Sequence, residues 1–287
     1  MEVKHQTDNG QAALWNGRSG RAWVDAQEVL DQMLKPFEDL LVEAVRAGPG
    51  HRVLDVGCGT GSTTLAVARR LAATGHCIGV DVSEPMLAVA RARAKREDTT
   101  ASFLRADVQR HAFEPASFDT IISRFGVMFF DNPVQAFANL RRAARDGAAL
   151  RCIAWRSAAE NPFTTTAERA AAPLLPNMPA RQPDAPGPFS LADRHRVASI
   201  LEESGWAEID VRPLDVDCTL PENELVGYFT RIGPVGLILQ EADERTRTQV
   251  IDTVRAAFEP YVHGAEVRYT AACWMVSAEA PLMGLPR

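Results

Sequence analysis

The chain falls into three stretches by the rhythm of its apolar residues. From Ala22 to Ala47 they recur at intervals of three and four, at Val29, Leu30, Met33, Leu34, Phe37, Leu40, Leu41 and Val45. That spacing predicts a helix, ended by Gly48-Pro49-Gly50. Residues 1–20 ahead of it are polar, carry Gly10, Gly17 and Gly20, and predict a loose segment held only where Trp15 or Trp23 packs. From Arg52 short apolar runs alternate with helical periods. Strands are predicted at 52–56, 77–82, 102–105, 118–123 and 149–155, and helices at 62–71, 85–96 and 133–144. Strand, helix, strand at this spacing builds a parallel sheet covered on both faces. Seven prolines between 156 and 190 then break the rhythm and predict a covering segment of loop and short helix. Beyond it the pattern predicts a helix at 191–204, a strand at 208–216, two or three helices within 221–260 and a closing strand at 269–277.

The 287 residues are 46% hydrophobic, enough for one sizeable core and a smaller cap. The expected division is an N-terminal helical lid (1–48), a core (49–216, with the Pro-rich cover at 156–190), a helical cap insertion (217–265) and a closing strand (266–287). The net charge of −6 and the lack of a basic stripe argue against a nucleic-acid partner. No apolar run approaches the roughly 18 residues of a membrane span, and MEVKHQTDNGQ has no signal-peptide core. Five scattered cysteines with no C-x-x-C pair predict neither a disulfide framework nor a metal site, and fit reduced thiols in a cytoplasm.

The candidate chemistry starts in RVLDVGCGTGSTT, residues 52–64. An apolar strand climbs to an acidic residue, and three glycines then lead into a helix. The dinucleotide fingerprint is G-x-G-x-x-G, but Gly57, Gly59 and Gly61 are spaced G-x-G-x-G, and Ser62 stands where the third fingerprint glycine belongs. Asp55, just before the glycines, would repel a pyrophosphate and suits a ligand offering a cation or hydroxyl donors. No Gly-Lys-Ser/Thr follows, so this is not a P-loop.

The stretch Asp55-Val56-Gly57-Cys58-Gly59-Thr60-Gly61 resembles the first motif, D/E-x-G-x-G-x-G, of the class I S-adenosylmethionine-dependent methyltransferases. The resemblance implies an α/β, Rossmann-like, seven-stranded and mostly parallel sheet with helices on both faces, a helical cap insertion and an antiparallel last strand. It implies that Gly57, Gly59, Thr60 and Gly61 cradle S-adenosylmethionine and that Asp55 faces its amino end. Asp81, with Val82 beside it, would take the ribose hydroxyls; Met86 would pack on adenine; Asp107, with Val108, would accept from the adenine amino group. Ser123, Arg124 and Phe125 would lie beneath the methionine portion. ALWNGRSGRAW and SRFGVMFF further resemble a bacterial group near the ubiquinone and menaquinone C-methyltransferases, in which Trp15 and Trp23 would lie on a segment folding over the cofactor. The resemblance covers residues 50–155 well and the remainder loosely.

The implied activity is methyl transfer from S-adenosylmethionine to a small organic acceptor, leaving S-adenosylhomocysteine, in a monomer or homodimer. In-line displacement from a sulfonium needs alignment and exclusion of water more than a fixed catalytic motif. Candidate acceptor contacts are Arg124, Met128, Phe129, Phe130, Trp155, Phe163, Phe189 and Tyr228, which suit an apolar or flat molecule, with Arg124 able to pair with a carboxylate. Candidate bases are His195, His263, Tyr261 and Asp131; His263, in a turn before the last strand, is preferred. Asn161-Pro162-Phe163 resembles the N-P-P-Y/F motif of amino-methylating nucleic-acid enzymes, but it follows the fifth strand and reads as a turn into the cap. Three alternatives are a non-catalytic S-adenosylmethionine-binding regulatory module, an NAD-type oxidoreductase, opposed by Ser62 and Asp55, and an RNA methyltransferase, opposed by the acidic balance.

Overall fold

In the computed structural model, which describes residues 10–71, 75–179, 181–182 and 185–282, the apolar runs from Arg52 onward assemble into one sheet. β1 (Arg52–Val56), β2 (His76–Asp81), β3 (Ser102–Arg105), β4 (Phe118–Arg124) and β5 (Ala144–Trp155) pair in parallel. β6 (Ala207–Pro221), the two-residue β7 (Val262–His263) and β8 (Glu266–Glu279) complete it. The order is β3-β2-β1-β4-β5-β8-β6, with β8 antiparallel to both neighbours and β7 hydrogen-bonded to β8. The seven expected strands are present and β7 is an eighth. Successive residues of β1 and β4 are buried whichever way they point, so both faces of the sheet are covered.

β6 and β8 are longer than their apolar runs suggest. Val216, Cys218 and Leu220 are buried while Asp215, Asp217 and Thr219 are exposed, so a half-solvated ladder carries the pairing on to Pro221↔Glu266. Pro213 is tolerated because β6 is an edge strand.

The helix predicted over 22–47 is instead the end of α2 (Arg18–Asp25), then α3 (Gln27–Met33) and α4 (Lys35–Ala44), preceded by α1 (Gln11–Asn16). Ala26 and Leu34 turn the corners with ψ near zero (11° and 6°), so the apolar stripe continues across them and Leu30, Met33, Leu34, Phe37 and Leu41 all reach the core. Residues 11–20, expected to be loose, are helical because they dock on the start of α6 (Glu84–Arg96). Asn16 donates to the Val82 carbonyl (2.9 Å) and accepts from the Glu84 amide (2.9 Å), and the Ser83 hydroxyl donates to the Trp15 carbonyl (2.6 Å). A Cβ on Gly20 would fall 1.9 Å from the Trp15 carbonyl oxygen, so only glycine fits there.

α5 (Ser62–Leu71), α7 (Pro133–Ala143) and α8 (Pro162–Ala171) follow β1, β4 and β5, and α9 (Arg194–Glu203) leads into β6. α8 then packs with α11 (Gly233–Leu239) and α12 (Glu244–Ala257), and α12 also meets α10 (Leu225–Arg231). The centre of this cap is Phe163, stacked flat on Tyr269 at 3.8 Å and edge-on to Phe258 at 5.1 Å. Asn161 makes the turn into it, accepting from the Ala272 amide (2.9 Å) and donating to the Ala272 carbonyl (2.8 Å). No helix among the described residues is long and apolar enough to cross a membrane.

Candidate functional site

Leaving β1, the chain turns through Gly57, Gly59 and Gly61, all at positive φ (67°, 53° and 87°), where a side chain would be strained. The amides of Gly57 and Cys58 donate to the Val80 carbonyl (2.8 and 3.1 Å), and that of Gly59 to Asp81 Oδ2 (2.8 Å). The turn touches a further glycine, Gly126, which the motif does not include. A Cβ on Gly57 would lie 2.6 Å from Gly126 Cα, and one on Gly126 would lie 2.5 Å from the Val56 carbonyl oxygen. The floor here is therefore bare backbone. Gly61 serves packing instead, because a Cβ there would meet Ala90 and Phe103 at 2.9 Å.

Above this floor lies a cavity of about 400 Å³, lined by Gly57, Gly59, Asp81, Val82, Met86, Asp107, Val108, Arg124, Trp15 and Trp23 among others. Two of its wall groups are carboxylates at the ends of parallel strands, the usual ligand position in such sheets. Asp81 accepts from the Gly59 and Ser83 amides (2.8 and 2.9 Å) and keeps acceptor sites to spare; burial raises its pKa and those amides oppose the rise. Asp107 accepts from the backbone and side-chain amides of Gln109 (2.9 and 3.1 Å). Gln109 in turn accepts from the Asn132 amide (2.7 Å), a wall contact that only its place two residues after Asp107 could have signalled.

Besides Gly61, three of the expected cofactor residues are absent from the wall: Asp55, Ser123 and Thr60. Asp55 is buried beneath the turn; burial pushes its carboxyl up to about 7, although the Thr64 hydroxyl (2.6 Å) and the nearby Arg124 favour the charged form. Ser123 donates to the Val56 carbonyl (2.8 Å) and accepts from the Gly126 and Val127 amides (3.2 and 3.3 Å), clasping the ends of β1 and β4 together. Thr60 offers its carbonyl to Arg93 (3.1 Å), which also pairs with Asp31 (2.9 Å). Arg124 is on the wall and donates to the Leu34 carbonyl (3.2 Å). Burial lowers its pKa, against Glu38, Asp31 and Asp55, which hold it charged. Glu38, missed in the sequence, is buried in α4 and accepts from Ser62, at the start of the helix after the glycines.

A second cavity, of about 310 Å³, shares Trp15, Trp23, Phe125 and Phe129 with the first. Trp15 meets Phe129 edge-on at 5.1 Å and Trp23 at 6.0 Å. Phe125 sits at φ 65°, its ring stacked on Trp155 (4.7 Å, 9° between planes) and edge-on to Phe37 (5.0 Å). A non-glycine residue held in that region, at a cost of roughly 1–3 kcal/mol, marks the junction as tightly determined by its surroundings. The wall beyond is apolar, with Leu30, Met33, Leu34, Met128, Trp155, Phe163, Phe189, Tyr228, Phe229 and Phe258. Burial pushes the Tyr228 phenol up to about 12. Of the expected acceptor contacts, Met128, Phe129, Trp155, Phe163, Phe189 and Tyr228 meet here, whereas Arg124 and Phe130 line only the first cavity. His263 is exposed on β7 and lines neither cavity, as is true of His195 on α9. Tyr261 packs edge-on against Phe163 (5.1 Å), and Asp131 stands on the first cavity's wall. Among the described residues no group of three or more His, Cys, Asp and Glu is arranged to hold a metal.

Comparison with known proteins agrees with this geometry. Residues 53–147 match a family described as a methyltransferase domain. An uncharacterized protein of Mycobacterium tuberculosis is 33% identical over 143 residues, which are 50% of this chain and 49% of that protein. The demethylmenaquinone methyltransferase of Renibacterium salmoninarum is 28% identical over 184 residues, 61% of this chain and 75% of that one. The chain thus spans about half the length of the curated relatives it matches first. The crystal structure of the YcgJ protein from Bacillus subtilis superposes with a TM-score of 0.57 at 16% identity, covering 86% of this chain and 99% of that one. Turn, strand-end carboxylates and sheet order agree with the matched segment: residues 53–147 form a methyltransferase domain by their family match.

Proposed function

We propose that the chain moves a methyl group from S-adenosylmethionine to a small organic acceptor, with the cofactor in the first cavity and the acceptor in the second. The observation that carries this is that the two cavities meet at Trp15, Trp23, Phe125 and Phe129. The first cavity suits the cofactor chemically. Asp81 and Asp107 on its wall can accept from hydroxyl and amino donors, as a ribose and an adenine offer. Met86, Val82 and Val108 supply apolar surface for the base, and the bare backbone at Gly57 and Gly126 lets a ligand approach closely. The G-x-G-x-G spacing, with Ser62 where the third fingerprint glycine belongs, disfavours the NAD-type alternative. When bound, S-adenosylmethionine supplies a methyl group already activated on a sulfonium.

The chain's own part is then positioning and exclusion of water. Four aromatic side chains surround the junction, and aromatic faces attract a cation such as a sulfonium. Docking of α1 and α2 on Ser83 and Glu84 places Trp15 over it. His263 has no role in this reading. Both cavities are lined by a single chain, so a monomer or a homodimer serves equally, and five free, buried cysteines support a cytoplasmic setting. The acidic balance supports a small molecule over a nucleic acid. The test is release of S-adenosylhomocysteine from S-adenosylmethionine across a panel of phenols, hydroxyquinones and keto acids. Turnover on one class supports the proposal; cofactor binding without turnover on any of them favours a regulatory module.

A further inference from the structure

We propose that the second cavity selects an acceptor with an apolar body and an anionic end, and that Arg231 reads the anion, which rests on assigning that cavity to the acceptor. Its wall carries four ionisable side chains: Glu168, Arg181, Tyr228 and Arg231. Glu168 and Arg181 cancel one another. Arg181 Nε donates to Glu168 Oε2 at 2.9 Å, a second guanidinium nitrogen donates to the other carboxylate oxygen, and the guanidinium lies 4.8 Å over Phe189. Tyr228, pushed up to about 12, is neutral at physiological pH and can donate but carries no charge.

Arg231 remains. It ends α10 with an exposed side chain on the cavity wall, and it has no hydrogen bond or ion pair among the described residues. Glu224 points to the same face of α10, since Glu224 and Arg231 atoms both lie within 3.8 Å of where a Gly227 Cβ would stand, but the two do not pair. Two arginines less one glutamate leave the wall with a charge of +1, on a cavity otherwise built from side chains such as Met33, Phe229 and Phe258. A hydrated cation at the rim of an apolar pocket costs little, and it gains a charge-assisted pair only when a ligand brings an oxyanion. The planar guanidinium fork suits a carboxylate or a sulfonate. An acceptor anchored there would extend its apolar body inward, towards the aromatic junction with the first cavity.

The test is fluorescence titration of the full chain, with S-adenosylhomocysteine present, using the anion 6-(p-toluidino)naphthalene-2-sulfonate and the neutral N-phenyl-1-naphthylamine. Both probes are expected to bind. Arg231→Gln is expected to weaken the sulfonate about tenfold, the scale of one charge-assisted hydrogen bond, and Arg231→Glu further, with the neutral probe changed less than about twofold. Ala167→Phe, which fills the cavity, is expected to weaken both probes. Equal losses of both probes in Arg231→Gln, no loss of either, or unchanged binding in Ala167→Phe would overturn the proposal. Calorimetry with S-adenosylhomocysteine on the same variants reads the cofactor assignment separately: its affinity should hold in the Arg231 variants whether or not the anion selectivity is found.

Discussion

The two cavities differ little in volume, about 400 against 310 Å³, and share four aromatic side chains, yet their walls have opposite origins. The first is made by strand ends: backbone at Gly57, Gly59 and Gly126, and carboxylates that follow from the register of β1, β2 and β3. Few residue types fit there, because a Cβ strikes backbone and an uncharged side chain loses the hydrogen bonds. The second is made largely by helix faces from α1, α2, α3, α8, α10 and α11, which no strand register aligns. Many apolar side chains of similar volume would serve on it. On the proposed assignment the first wall would hold one ligand by hydrogen-bond geometry and the second would set its choice by shape and one unpaired charge, so substitutions there should change selectivity before they abolish function.

Four changes would break or sharpen that contrast. The largest expected effect is in the cap. Phe163→Ala removes a buried ring stacked on Tyr269, which should lower the unfolding free energy by roughly 3–5 kcal/mol in denaturant titration. The folded protein that remains should keep its affinity for S-adenosylhomocysteine; a matching loss would mean the two regions are not independent. Gly126→Ala should cost less stability, roughly 1–3 kcal/mol from overpacking, but should abolish cofactor binding because the new methyl group strikes Val56 and Gly57. Normal binding in this variant would show that the floor can yield.

The third change acts through pH. Folding leaves a proton on Asp55 up to about pH 7, whereas the unfolded chain releases it near 3.8. The folded state therefore binds more protons across that window. The contribution of Asp55 to stability is full below pH 3.8, declines as the pH rises to about 7, and is flat above. Asp81, shifted in the same direction, adds to the trend. Melting temperatures from pH 4 to 8 should show the decline, and Asp55→Asn should flatten part of it; an unaltered profile in the variant would contradict an ionisable carboxyl buried there. The smallest effect belongs to the exposed Arg18–Glu241 pair between lid and cap, where Arg18→Ala should change stability by about 0–1 kcal/mol. A larger loss would make that bridge a true clamp over the second cavity.

The same contrast explains what can be read in advance. The strand–turn–helix rhythm, Asp81 and Asp107 are legible because a parallel sheet imposes short apolar runs and puts polar residues at their ends. Gly126 is not, because its role is a backbone contact with Gly57, far away in sequence. Residues 11–20 look loose because α1 buries no residue of its own, and its order comes from hydrogen bonds to Val82, Ser83 and Glu84. The single helix expected over 22–47 hides corners at Ala26 and Leu34, because near-helical corners preserve the apolar period. Asp55 and Ser123 occupy motif positions, yet one is buried behind the turn and the other clasps two strands, a distinction that spacing alone does not carry. In the second cavity composition suggests aromatic side chains, but the cancelling of Arg181 by Glu168 and the isolation of Arg231 arise only from tertiary packing.

The most direct measurement is calorimetric titration of the intact chain with S-adenosylhomocysteine, with Asp81→Ala alongside. The expected result is saturable one-to-one binding, weakened about a hundredfold or more in the variant, since a carboxylate that accepts ribose hydroxyls contributes roughly 1.5–3 kcal/mol per bond. No binding by the intact chain, or equal binding by Asp81→Ala, would contradict the assignment of the first cavity to the cofactor.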